Sequence, residues 1–196
     1  MLQVHNGFLN GEMIPYSEVG QMTGMFDTEW SWSPLFADYD NDGDKDLIIT
    51  NGFPRDLTDK DFTNYKAQMY NYLATEQQIL ARVPEVKVSN FVYENIGNLE
   101  YQDVTQEWGM KIPSYSNGAS FVDLDNDGDL DYVVNNINDP VFIYRNNTDD
   151  LSEDAAYLKV KLQGEGQNKM AIGAKVELWN NGEVTFYEHF LTRGYI

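Results

Sequence analysis

A chain of 196 residues with 32 acidic and 13 basic side chains carries a formal net charge of −19, and it has no cysteine. The length suffices for one large or two small domains with a proper core. The acidity argues against nucleic acid and anionic membranes as partners, and the missing cysteine excludes disulfides, thiolate chemistry and cysteine-ligated zinc. No signal peptide or transmembrane run is visible, so no membrane insertion is expected of this fragment.

The chain opens on Gln3-Val4-His5-Asn6, a short strand ending in Asn, and continues through Tyr16-Ser17-Glu18-Val19 and Gly24 to Trp30-Ser31-Trp32. Pro34-Leu35-Phe36-Ala37 and the β-branched run Leu47-Ile48-Ile49-Thr50 both predict strands. Between them lies Asp38-Tyr39-Asp40-Asn41-Asp42-Gly43-Asp44-Lys45-Asp46. Carboxylates at every second position repel one another unless a cation sits among them. Calcium accepts about six to eight oxygen ligands in flexible geometry, and glycine at the sixth position permits the sharp turn that gathers them. The spacing assigns the side chains of Asp38, Asp40, Asp42 and Asp46, with the carbonyl of Asp44, to one Ca2+ site. A helix-loop-helix calcium hand is excluded, because its twelfth position needs Glu and here holds Ile49.

Residues 54–89 form a helical insertion. Thr58-Asp59-Lys60-Asp61 is a capping box, followed by Phe62, Tyr65, Met69, Tyr72 and Leu73 at helical spacing. Thr75-Glu76-Gln77-Gln78 starts a second helix running to Val83, where Pro84 stops it. The aromatic stripe is expected to pack on the parent domain rather than to hold a ligand.

Beyond the insertion the chain repeats itself. Val92-Tyr93-Glu94-Asn95 is again a strand ending in Asn. Tyr101-Gln102-Asp103-Val104, Gly109 and Tyr115 follow Tyr16–Val19, Gly24 and Trp30 at an offset of 85 residues. The same offset places Asp123-Leu124-Asp125-Asn126-Asp127-Gly128-Asp129-Leu130-Asp131 between the predicted strands Ala119–Val122 and Tyr132–Val134. Asp123, Asp125, Asp127 and Asp131, with the Asp129 carbonyl, are assigned to a second Ca2+ site, and Val134 fills its twelfth position. One such loop is compatible with an acidic, solvated turn; two with identical spacing argue for metal. Two bound ions would lower the magnitude of the net charge to about 15. Ile143-Tyr144-Arg145-Asn146 repeats Val92–Asn95 after 51 residues, so the underlying unit is about fifty residues long and the insertion hides it.

Asn146-Asn147-Thr148 is a glycosylation sequon, relevant in a eukaryotic secretory pathway. Residues 149–156 read as an acidic linker. In residues 157–196, Tyr157–Leu162 and Ala174–Leu178 alternate as strands, and the second meets Val184–Tyr187 across the hairpin signal Asn180-Asn181-Gly182.

D-x-D-x-D-G-x-x-D between two strands, in units of about fifty residues, resembles the FG-GAP/VCBS repeat of integrin-type β-propellers over most of residues 1–148. Ala171-Ile172-Gly173-Ala174-Lys175-Val176, ending in Arg193-Gly194-Tyr195, resembles the ASPIC/UnbV module. That pairing occurs in cartilage acidic protein and in large bacterial surface proteins. Trp30-Ser31-Trp32 and Asn135-Asn136-Ile137-Asn138-Asp139-Pro140 look most like Bacteroidetes-type members. The resemblance implies an all-β fold of propeller-type blades with strand-loop-strand calcium sites, and an extracellular, cell-surface or periplasmic setting. Weak calcium sites also suit millimolar external calcium. One full blade and parts of two others cannot close a ring. The chain is therefore expected to be a fragment that meets the remaining blades of a parent propeller, or to have its edge strands covered otherwise.

The expected function is a calcium-binding, non-enzymatic binding or adhesion module for a protein or glycan ligand that no motif identifies. The alternative is a glycan-binding or glycan-processing accessory domain of a bacterial surface protein. Strand direction places Trp30, Trp32 and Tyr115 opposite the calcium loops, as candidate ligand contacts or as wedges between blades. His5 and His189 are the only histidines, which leaves a Ser-His-Asp hydrolase poorly supported. No Asp/Glu pair outside the loops stands out as a glycosidase pair.

Overall fold

The computed structural model describes residues 2–69, 75–151, 156–180, 182–192 and 194–195. Tyr72 and Leu73 of the aromatic stripe, residues 152–155 of the expected linker, Asn181 of the expected hairpin and Arg193 lie outside them. In chain order the strands are β1 (Gln3–Val4), β2 (Phe8–Leu9), β3 (Glu12–Met13), β4 (Ser17–Glu18), β5 (Ser31–Ala37) and β6 (Asp46–Asn51). Helices α1 (Lys60–Met69) and α2 (Glu76–Leu80) precede β7 (Phe91–Asn95), β8 (Tyr101–Asp103), β9 (Ser116–Val122), β10 (Asp131–Asn136) and β11 (Phe142–Tyr144). Then come α3 (Thr148–Leu151), β12 (Lys175–Asn180), β13 (Glu183–Glu188) and β14 (Gly194–Tyr195).

The chain is mostly β, and two four-stranded antiparallel sheets dominate it, in the orders β5-β6-β7-β8 and β11-β10-β9-β14. Ile48 and Val92 of the first sheet share a core with Ala119, Tyr132 and Val134 of the second. The opposite face of the first sheet presents Leu47, Ile49 and Tyr93 to Met25. β6 is therefore buried along its whole length, as expected of a strand whose alternate residues face two apolar layers.

The 85-residue repeat is visible in backbone hydrogen bonds. After β4, Thr23 N donates to Val19 O and Met25 N to Gly20 O; after β8, Trp108 N donates to Val104 O and Met110 N to Thr105 O, each at 2.9 Å. β4 pairs with β1 as β8 pairs with β7.

The insertion leaves the first sheet between β6 and β7 and carries both helices. Thr58 Oγ1 donates to Asp56 Oδ1 at 2.7 Å, so the cap of α1 passes to Asp59, whose Oδ1 accepts from Phe62 N at 2.7 Å. Thr75 caps α2 in a full capping box. The helix stops at Leu80, three residues short of Val83, and Val83 itself is buried. Phe62 is buried as well, and Arg82 stacks over the Tyr65 ring, tying α1 to the turn after α2.

The last strand does not stay with its neighbours in sequence. β12 and β13 form a separate hairpin, whereas β14 pairs with β9 and adds a fourth strand to the second sheet. Residues 157–162, despite their alternation, pair with no described strand.

Candidate metal centre

Both acidic nonapeptides connect adjacent antiparallel strands, β5 to β6 and β9 to β10. Gly43 and Gly128 take φ of 101° and 104°, and Asn41 and Asn126 take 59° and 66°. These left-handed residues turn the chain tightly enough to gather alternate carboxylates, and glycine holds the position a side chain would strain. Asp38, Asp40 and Asp42 bring carboxylate oxygens within 4.8 Å of one another, and Asp123, Asp125 and Asp127 do the same. Like charges gathered this closely repel one another unless a cation sits among them.

The ninth carboxylates stand apart from these triads. Asp46 is fully buried; its Oδ2 accepts from Tyr39 N at 3.0 Å and its Oδ1 from Asn95 N at 2.9 Å. Asp131 repeats this, accepting from Leu124 N and Asn146 N, both at 2.9 Å. Each therefore brackets its loop between its second residue and an asparagine on the neighbouring strand's C-terminal side, Asn95 as the last residue of β7 and Asn146 two residues beyond β11. Those asparagines close the bracket: Asn95 Nδ2 donates to Lys45 O and Asn146 Nδ2 to Leu130 O, at 3.3 and 3.4 Å. Asn146 also donates to Tyr39 O at 2.6 Å, joining the second unit to the first loop. The recurrence of a strand ending in Asn signalled this role, but its partner is remote in sequence.

The seventh residues diverge. Asp44 is exposed, with its amide donating to Asp42 Oδ1 at 2.8 Å. Asp129 is fully buried, its Oδ2 accepts from Thr148 N at 3.0 Å, and it joins Asp127 and Asp149 in a further group of carboxylates. Asp149, expected in a linker, thus belongs to the second loop's surroundings.

Burial, followed by the neighbouring Asp42, pushes Asp40 up to about 6. Burial pushes Asp46 up to about 7 even though the Asn95 and Tyr39 amides pull it back. Asp38 is raised too, by burial and then by Asp42. The folded, metal-free chain therefore holds these protons more tightly than the unfolded chain does, which favours folding below the ordinary carboxylate range near pH 4. That contribution is lost as pH rises through about 6–7. In chelator, the melting temperature is expected to fall between pH 4 and 7; a rise across that window would contradict the assignment.

The donor set fits a hard cation. It is all oxygen, and Oδ1 of Asp38, Asp123 and Asp129 are buried with no hydrogen-bond partner. Such atoms are costly unless a cation satisfies them. A flexible, carboxylate-rich loop suits calcium better than octahedral magnesium.

At the opposite end of the first sheet, Trp30 stacks on Phe53 at 4.6 Å and 21°, and lies 6.3 Å and 23° from Trp32. Trp32 Nε1 donates to Gly52 O at 2.9 Å. The two tryptophans are half-buried and share a ring cluster with Phe53, a member that sequence reasoning missed. Tyr115 is buried, donates to Glu85 Oε2 at 2.7 Å and lies under Lys87. His5 Nδ1 accepts from Gly7 N, and its ring packs against Phe8 and Tyr16. Among the described residues, no helix is long and apolar enough to cross a membrane.

The family model described as ASPIC and UnbV matches residues 164–196, the stretch that holds β12, β13 and β14. No curated protein matches the chain.

Proposed function

We propose that the chain is a calcium-stabilised, non-enzymatic binding module, built of FG-GAP/VCBS-type propeller blades over residues 1–148 and an ASPIC/UnbV-type module over 157–196, working outside the cytoplasm. The observation that carries this reading is the repeated loop: two carboxylate triads, each closed by a buried ninth aspartate and by Asn95 or Asn146. A divalent ion would supply positive charge at the centre of each triad. The chain supplies the frame, holding the oxygens on tight turns between paired strands. The ions are structural on this reading, and ligand binding falls to surfaces of the chain away from the loops.

The runner-up, a sugar platform on Trp30 and Trp32, is weakened by the ring cluster, because Phe53 occupies ring faces that a sugar would need. Calorimetric titration with calcium tests the main reading. Heat from two sites, with magnesium a poor competitor, is the expected result. No calcium uptake at millimolar concentration would return both nonapeptides to being acidic turns.

A further inference from the structure

The loops share one pattern, but the side chains that reach the two triads differ in charge. The residue before each bracketing asparagine is Glu94 in the first unit and Arg145 in the second. Arg145 Nε lies 2.8 Å from Asp125 Oδ2, and its Nη2 lies 3.4 Å from Asp127 Oδ2. Lys159 Nζ lies 3.0 Å from Asp123 Oδ2. The chain's own cations thus engage all three carboxylates of the second triad. Among the described residues, no basic side chain pairs with Asp38, Asp40 or Asp42, and Lys45 of the first loop instead sits 5.5 Å over the Tyr187 ring. Within the second loop, Asp129 is fully buried and its Oδ1 has no partner, which marks a place where a cation is still wanted.

The segment that brings Lys159 also lies on the loop itself. Tyr157 packs against Gly128 so closely that a Cβ there would stand 2.1 Å from its ring. Lys159 and Tyr157 together therefore fold the start of the C-terminal stretch over the second triad.

We propose that the two loops are graded in cation affinity: the first is the tighter site, and the second fills only as Arg145 and Lys159 give up its carboxylates. This rests on the calcium reading above. A divalent ion entering the first triad meets uncompensated negative charge, to which Glu94 adds. An ion entering the second must displace a guanidinium and an ammonium and then bear their repulsion. By linkage, whatever these two side chains gain from the loop lowers its apparent affinity for the ion by the same factor. Occupation of the second site then loosens the hold of residues 157–159 on the loop.

Calorimetric calcium titration of the full chain and of R145E and K159Q tests this, with each variant's melting temperature in chelator confirming that it folds. The wild type should bind in two events separated by about tenfold or more in Kd, with D40N removing the tighter event and D125N the weaker. R145E should tighten the weaker event at least about tenfold and K159Q by less, leaving the tighter event in place. Two events of equal affinity that R145E leaves unchanged would overturn the grading while the calcium reading stands. Loss of the tighter event in D125N would do the same. No calcium binding in any variant would overturn both.

Discussion

Removing divalent ions with a chelator is expected to lower the melting temperature by about 10–20 °C relative to millimolar calcium. Each site filled at about a hundredfold over its Kd adds ~2.7 kcal/mol to the folded state, and in a protein of this size each kcal/mol moves the midpoint by about 2–4 °C. The loss has a local cause. Without an ion, Asp38, Asp40 and Asp42 face one another within 4.8 Å, and the buried oxygens of Asp38, Asp123 and Asp129 keep no partner. Because the loops join β5 to β6 and β9 to β10, their repulsion acts on the hairpins that frame the shared core. The graded affinities inferred above imply that the first loop supplies most of the shift at low calcium. Differential scanning calorimetry at pH 7, in chelator and at several calcium concentrations, measures it. Identical melting curves would remove the structural role of the ions, and equal rescue by magnesium would remove the preference for calcium.

The features legible in the sequence were those whose partners are close along the chain or repeated at a fixed interval. The alternating aspartates and their glycine predict a turn because every group involved lies within nine residues, and the left-handed Gly43 and Gly128 bear that out. Thr75 and Gln78 form their capping box for the same reason. Where a residue's partner is remote, spacing alone did not supply it. Asp46 takes one bond within its loop and another from Asn95, which the insertion pushes 49 residues away. Asp44 and Asp129 hold the same register, yet one is exposed and the other buried, because only the second meets Thr148. The alternation in Tyr157–Leu162 looks like a strand, but Tyr157 and Lys159 are spent on the second loop and the free edge of β9 goes to β14. Periodicity reports which side chains share a face; it carries no information on which edge is left to pair with.

Replacing Asp46 by alanine is expected to destabilise the protein by roughly 3–5 kcal/mol, with or without calcium. Two backbone amides, the buried one of Tyr39 and the part-buried one of Asn95, donate to this one carboxylate. Above about pH 7, where the carboxyl is ionised without metal, charge-assisted bonds of this kind contribute about 1.5–3 kcal/mol each, and their loss leaves both donors without this acceptor. Asparagine should cost less, roughly 2–3 kcal/mol, since it keeps one accepting oxygen but turns an NH2 toward the other amide. Asp131 holds the same position between Leu124 and Asn146, so Asp131→Ala should behave alike. Asp44→Ala is the control: its side chain is exposed, and the loss should stay within about 0.5 kcal/mol. Urea denaturation of the set, in calcium and in chelator, separates two roles for the ninth aspartate. A loss present in both conditions makes it the bracket that ties loop to sheet. A loss seen only in calcium would make it a metal ligand alone, and the paired amide bonds would then contribute nothing measurable to stability.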